Sequence, residues 1–210
     1  MRRAVLALLL GLGLSACSSL PESGPRHLDF TAGPAGGAID PQTLLESGIV
    51  PADKLVSVAE ALARAPEGSV LLPCWREWSR TSFWGVCSHL ARKLEPGQMA
   101  DQPNLFQRAG VRSTGILLDR YALIVLDVGV RPAQWAALNA EVERLTGQMY
   151  SFSRAPGTSD CSTYQNALQH ALNLPDVVPF NAAWNTWLPA DALKMPGVKV
   201  LWVGVSEGDG

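Results

Sequence analysis

Apolar side chains run almost unbroken through YALIVLDVGV at 121–130, which predicts a strand buried on both faces of a sheet. VKVLWVGV at 198–205 predicts a closing strand, and GSVLL at 68–72, after a Pro-Glu-Gly turn, an opening one. FWGVCSHLARKL at 83–94 alternates with period two: Phe83, Gly85, Cys87 and His89 share one face, and Trp84, Val86, Ser88 and Leu90 the other. That places His89 in the middle of a strand antiparallel to the opening one. GILLD at 115–119 reads as a further strand, Asn104 to Arg108 as a short one, and Pro96 to Pro103 as loop.

Three stretches carry helical spacing instead. VSVAEALARA sets Val56, Ala59, Leu62 and Ala63 on one face, with Asp53 as a candidate cap and Pro66 as the breaker. Pro132 opens AQWAALNAEVERLTG, where Trp135, Leu138, Val142 and Leu145 align and Gly147 terminates. The third begins at Cys161 behind the Ser-, Pro- and Gly-rich loop YSFSRAPGTSD, and its buried stripe is expected to be Tyr164, Leu168, Ala171 and Leu172. Beyond Pro175 the pattern is irregular until the closing strand.

The N-terminal stretches have other patterns. Met1-Arg2-Arg3, the eleven-residue apolar run AVLALLLGLGL and Leu14-Ser15-Ala16-Cys17 read as an export signal, because a run this short does not span a bilayer, which takes about 20 residues. LSAC resembles the bacterial lipobox, which implies cleavage before Cys17 and lipid on that residue. Ser18 in place of aspartate then points to the outer membrane, facing the periplasm. Residues 18–51 are rich in Gly, Pro and Ser without a period and read as a flexible tether, leaving 52–210 as a single α+β domain.

Composition narrows the chemistry. A net charge of −2 with no basic cluster argues against nucleic acid as a partner. Of four cysteines in an oxidising compartment, Cys17 goes to lipid, and Cys74 and Cys87 lie on neighbouring strand-like segments that a hairpin can bring within disulfide range. Cys161 is left over, at a helix N-terminus whose exposed N–H groups and dipole favour a thiolate. Of three histidines, His27 falls in the tether, and His170 lies nine residues along the same helix, roughly 13 Å away. His89 remains as the base. Asp160 reads as the helix cap. The histidines and cysteines lack metal-ligand spacing, and no cofactor is expected.

GQMYSFSRAPGTSDCSTYQNAL resembles the nucleophile segment of NlpC-type cell-wall peptidases, in which a Tyr precedes a short loop and Asp-Cys-Ser opens the helix. Because His89 precedes Cys161, the order resembles the circularly permuted branch of the papain-like superfamily. There a strand of the form GSVLL begins the domain, a second strand brings Ser-His, and the cysteine helix arrives later. The resemblance covers roughly Gly68 to Leu174 and implies a papain-like fold with the nucleophile helix packed on an antiparallel sheet. It implies that Cys161 attacks a carbonyl while His89 moves the proton, with Tyr150 lining the cleft. For the third position the match is Gln107, after Phe106, and Asp119 competes with it. LARKL after His89 departs from the smaller, glycine-containing run of the family.

These readings lead to an envelope-anchored cysteine hydrolase acting on peptidoglycan peptides, with the backbone N–H of Cys161 and the Ser88 segment meeting the oxyanion. Two alternatives stand beside it: a hydrolase or transferase of acyl or lipid substrates, which the tryptophan-rich composition suits, and a non-catalytic envelope-binding lipoprotein.

Overall fold

The structure is a computed structural model that describes residues 24–78, 84–153 and 155–206. The export signal, Cys17 with its lipobox, the first residues of the expected tether and Phe83 lie outside the described residues. The fold is α+β, built on a seven-stranded mixed sheet.

The sheet comprises β3 (Leu55–Ser57), β4 (Val70–Cys74), β5 (Ala91–Lys93), β6 (Gln98–Asp101), β7 (Gly110–Ser113), β8 (Ala122–Asp127) and β11 (Lys199–Val205), in the order β3-β11-β8-β4-β5-β6-β7. Only the β3–β11 pair is parallel. Both faces are covered, so the central strands are apolar throughout. Val70, Leu72, Ile124 and Leu126 meet α4 (Cys161–Ala171) and the N-terminal segment, while Leu71, Leu123 and Val125 meet α2 (Val58–Arg64). On β11, Gly204 permits the close approach of α2, since a Cβ there would lie 2.8 Å from Val58 Cα.

The stretch expected to be a tether packs onto the domain from its described start. Leu28, Phe30, Ile39, Leu44 and Val50 are buried in the main core. β1 (Thr31–Gly33) pairs in parallel with β2 (Ile49–Pro51), and α1 (Leu44–Ser47) lies between them in sequence. Residues 26–28 run antiparallel to 76–78, with hydrogen bonds from Leu28 N to Arg76 O and from Trp78 N to Arg26 O. These apolar residues enter the core one at a time from irregular chain, so no period betrays them.

Several local expectations shift. Asp53 accepts from Gly36 N at 2.7 Å instead of capping a helix; Ser57 caps α2, accepting from Glu60 N at 3.1 Å. The buried face of α2 is Val58, Ala61 and Leu62. The long alternating strand reduces to β5, because Gly85 (φ 106°) turns the chain and Cys87 is tied to Cys74 by a disulfide. His89 therefore lies in the lead-in to β5. Residues 104–108 form a turn, Thr114–Leu117 a 3₁₀ turn where GILLD read as a strand, and the supposed loop after Pro96 contains β6. α3 (Trp135–Leu145) buries Leu138, Val142 and Leu145 as expected.

α4 buries Tyr164, Leu168 and Leu172, with Ala171 exposed. It is fastened to β5 by Arg92, which is fully buried. Arg92 Nε donates to Gln165 Oε1 at 3.0 Å, and Nη1 donates to Gln169 Oε1 at 3.0 Å and to Gly68 O at 3.1 Å. Burial pushes this guanidinium down to about 9, which leaves it charged at neutral pH. The bulky run after His89 thus provides the clamp for the cysteine helix.

Candidate active site

Three segments converge where α4 begins. Asp160 is the N-cap, its Oδ1 accepting from Ser162 N at 2.8 Å and Thr163 N at 2.9 Å, while Thr163 Oγ1 accepts from Asp160 N at 2.9 Å. This reciprocal cap fixes the first helical turn and sets Cys161 as its first residue. Cys161 is the free cysteine among the described residues and is 5 % exposed.

The lead-in to β5 brings His89 to this point. Its Nε2 lies 2.7 Å from Oδ1 of Asp101, the last residue of β6, whose carboxylate is 1 % exposed. The Cys161 thiol is within hydrogen-bonding reach of the same ring, and with Nε2 engaged by Asp101, Nδ1 is left for the sulfur. Burial works against the charged imidazole. The charge and hydrogen bond of Asp101, with Cys161 alongside, outweigh it and push His89 up to about 10. At neutral pH the ring is an imidazolium beside a thiol, the pairing a thiolate nucleophile requires.

Neither Gln107 nor Asp119 is the partner of His89. Gln107 is exposed on the 104–108 turn at the cleft wall, and Asp119 is exposed and paired with Arg120 at 3.0 Å. The orienting group is Asp101, in the stretch from Pro96 to Pro103 that reads as loop. The Pro96-Gly97 pair could have revealed it. Such a dipeptide between two short runs signals a hairpin, and counting back through this one pairs Asp101 with Ala91, two residues past His89. The second carboxylate oxygen, Oδ2, lies 3.7 Å from Arg112 Nε.

Gln102 follows directly, fully buried, and its Nε2 donates to Ser159 O at 3.2 Å. Adjacent residues at the end of one strand thus hold the base and the loop that delivers the thiol. β9 (Met149–Tyr150) and β10 (Thr158–Ser159) pair in parallel and set Tyr150 opposite Ser159. Burial raises the Tyr150 phenol well above its ordinary value, and the neighbouring Cys161 and Asp160 raise it further, so it stays a neutral donor at the thiol. Tyr150 packs edge-on against Phe152, Phe152 against Trp84, and Trp84 against Trp184.

The cleft above His89 and Asp101 has a volume of about 590 Å³. Ser88, Leu105, Phe106, Ile116 and Arg120 complete its walls. His27 pairs loosely with Glu77 at 4.0 Å and His170 with Asp176 at 2.5 Å, both on the surface, so neither reaches the site. Among the described residues no cluster of His, Cys, Asp or Glu is placed to hold a metal, and no helix is long and apolar enough to cross a membrane.

Comparison with protein families, with curated proteins and with solved structures finds no match to this chain.

Proposed function

We propose that the protein is a cysteine hydrolase of the permuted papain-like kind, held at the bacterial envelope by lipid on Cys17. The observation that carries this reading is His89 seated between a buried carboxylate and the free thiol of Cys161, at the N-terminus of a helix. The Cys161 thiolate adds to an amide carbonyl carbon, and the resulting oxyanion is met by the backbone N–H of Cys161, since those of Ser162 and Thr163 are already taken by the Asp160 cap. His89 gives its proton to the departing amine as the C–N bond breaks, leaving a thioester. Water, deprotonated by His89, then cleaves the thioester to a carboxylic acid and restores the thiol. Asp101 holds the ring through both steps.

The segment from Gly147 to Leu168, with its likeness to cell-wall peptidases, makes the peptide stems of peptidoglycan the first substrate to test. An acyl or lipid ester is a second reading, favoured by the cleft lining. Of the described residues there, only His89, Asp101 and Arg120 carry charge, against Trp84, Leu105, Phe106, Ile116, Leu117 and Phe152. Purified protein is incubated with cell-wall sacculi and, separately, with acyl esters, and products are identified by mass spectrometry, with Cys161→Ala and His89→Ala as controls. Peptide release that both substitutions abolish supports the first reading, and acyl release the second. If neither product forms and Cys161 alkylates no faster than a free thiol, the domain is a binding module and the hydrolase reading fails.

A further inference from the structure

The mouth of the cleft carries an unusual concentration of exposed apolar side chains. Phe106 is 95 % exposed, Leu105 63 % and Ile116 50 %, and all three line the same opening. Trp75, also exposed, lies under Arg120 of the cleft wall, whose guanidinium is 4.1 Å from the ring centroid. Three residues along the same segment is Trp78, exposed in turn and stacked by Arg26 at 5.6 Å. Soluble surfaces seldom gather aromatic and aliphatic groups this way without a partner.

The chain itself indicates the partner. Because residues 26–28 are paired into the fold at 76–78, the connection from Cys17 to the described domain is not the 34 residues of 18–51 but the six of 18–23. Even fully extended, that connection reaches about 25 Å from Cys17 to Gly24. The described chain begins at Gly24, two residues before Arg26, whose carbonyl accepts from Trp78 N. A lipid on Cys17 would thus keep Trp78, and Trp75 three residues before it, within a short reach of the bilayer.

We infer that the rim formed by Leu105, Phe106, Ile116, Trp75 and Trp78 docks onto the surface of the lipid bilayer, so that the cleft opens at the membrane interface. The inference rests on the lipid-anchored reading and adds an orientation to it. Aromatic rings with neighbouring arginines are the side chains that settle at the headgroup level. The opposite end of the sheet, where Lys199 pairs with Asp127, then faces away from the membrane.

The test uses the full, processed protein carrying Cys161→Ala, which leaves no free thiol once Cys17 is lipidated and Cys74 and Cys87 are bonded. Phe106→Cys or Lys199→Cys is added and labelled with an environment-sensitive fluorophore. The protein is incorporated into phosphatidylethanolamine/phosphatidylglycerol vesicles, and mass spectrometry of the Cys17 peptide confirms the lipid. A blue shift in emission at position 106 with none at 199 is the expected result. Equal emission at both positions with Cys17 lipidated overturns the docking while leaving the anchor intact. An unmodified Cys17 removes the anchor and the inference with it. A shift at 106 on added sacculi but not on vesicles overturns it in favour of the wall. A shift that instead grows with protein concentration in detergent overturns it in favour of a second copy.

Discussion

Replacing Asp101 by Asn keeps the size of the side chain and a hydrogen-bonding oxygen but removes the charge that holds His89 protonated. Its ordinary value of 6.5 is pushed up to about 10 with Asp101 in place, a preference for the imidazolium of at most about 5 kcal/mol at roughly 1.4 kcal/mol per pH unit. Without that charge, burial favours the neutral ring against the smaller pull of Cys161 alone. A thiol with no imidazolium titrates near 8.5 and is under roughly 1 % thiolate at pH 6. Alkylation of Cys161 by iodoacetamide at pH 6 is therefore expected to slow by about 10²-fold in the variant, with a change in its rate–pH profile. The assay needs no knowledge of the substrate, and a thermal melt run in parallel shows whether the variant is folded. Gln107→Ala and Asp119→Asn should stay within about twofold of the parent, since neither contacts His89 and surface changes are generally mild. A folded Asp101→Asn protein with an unchanged profile would refute the assignment, as would the same loss in Gln107→Ala.

Three further outcomes follow from the geometry. Because the folded protein binds the His89 proton more tightly than the unfolded chain, the associated stability is complete below about pH 6.5 and is lost as pH rises towards about 10. The melting temperature should fall more steeply across that window than in His89→Gln, and parallel curves would contradict the coupling. Removing the disulfide with Cys74→Ser and Cys87→Ser, 13 residues apart, should cost about 3 kcal/mol in denaturant unfolding and slow Cys161 alkylation, because Cys87 anchors the segment that carries His89. An unchanged midpoint would show that packing alone holds that segment. Arg92→Ala, which strands the acceptors on Gln165 and Gln169, should destabilise by roughly 3 kcal/mol, and Arg92→Met by less because it refills the space. Equal losses in denaturant titrations would mean that hydrogen bonding, rather than volume, decides.

What could be read from the sequence depended on whether a signal was local and periodic. Continuous apolar runs located β8 and β11, and the Asp-Cys-Ser segment located α4, because burial on both faces and capping each leave a mark within a few residues. Cys161 and His89 emerged by elimination among few candidates, and the structure brings them together. Asp101 did not emerge, because β6 has four residues and its role appears only once the hairpin register is counted. The packing of the N-terminal segment leaves no periodic signal for a related reason. Leu28, Phe30 and Val50 are isolated apolar residues among glycines and prolines, and what gives them a place is a core assembled from distant parts of the chain.

Arg92 has a consequence for the thiol that packing alone would not provide. An apolar stripe such as Tyr164, Leu168 and Leu172 tolerates some rotation or sliding of its helix, since one hydrocarbon contact resembles the next. A buried cation does not. Its acceptors Gln165 and Gln169 stand one turn apart, and any other angular setting of α4 would leave charge in the core without oxygen to meet it. Arg92 therefore acts as an indexing pin, and four residues before Gln165 the sulfur of Cys161 inherits a fixed phase about the helix axis, turned towards His89.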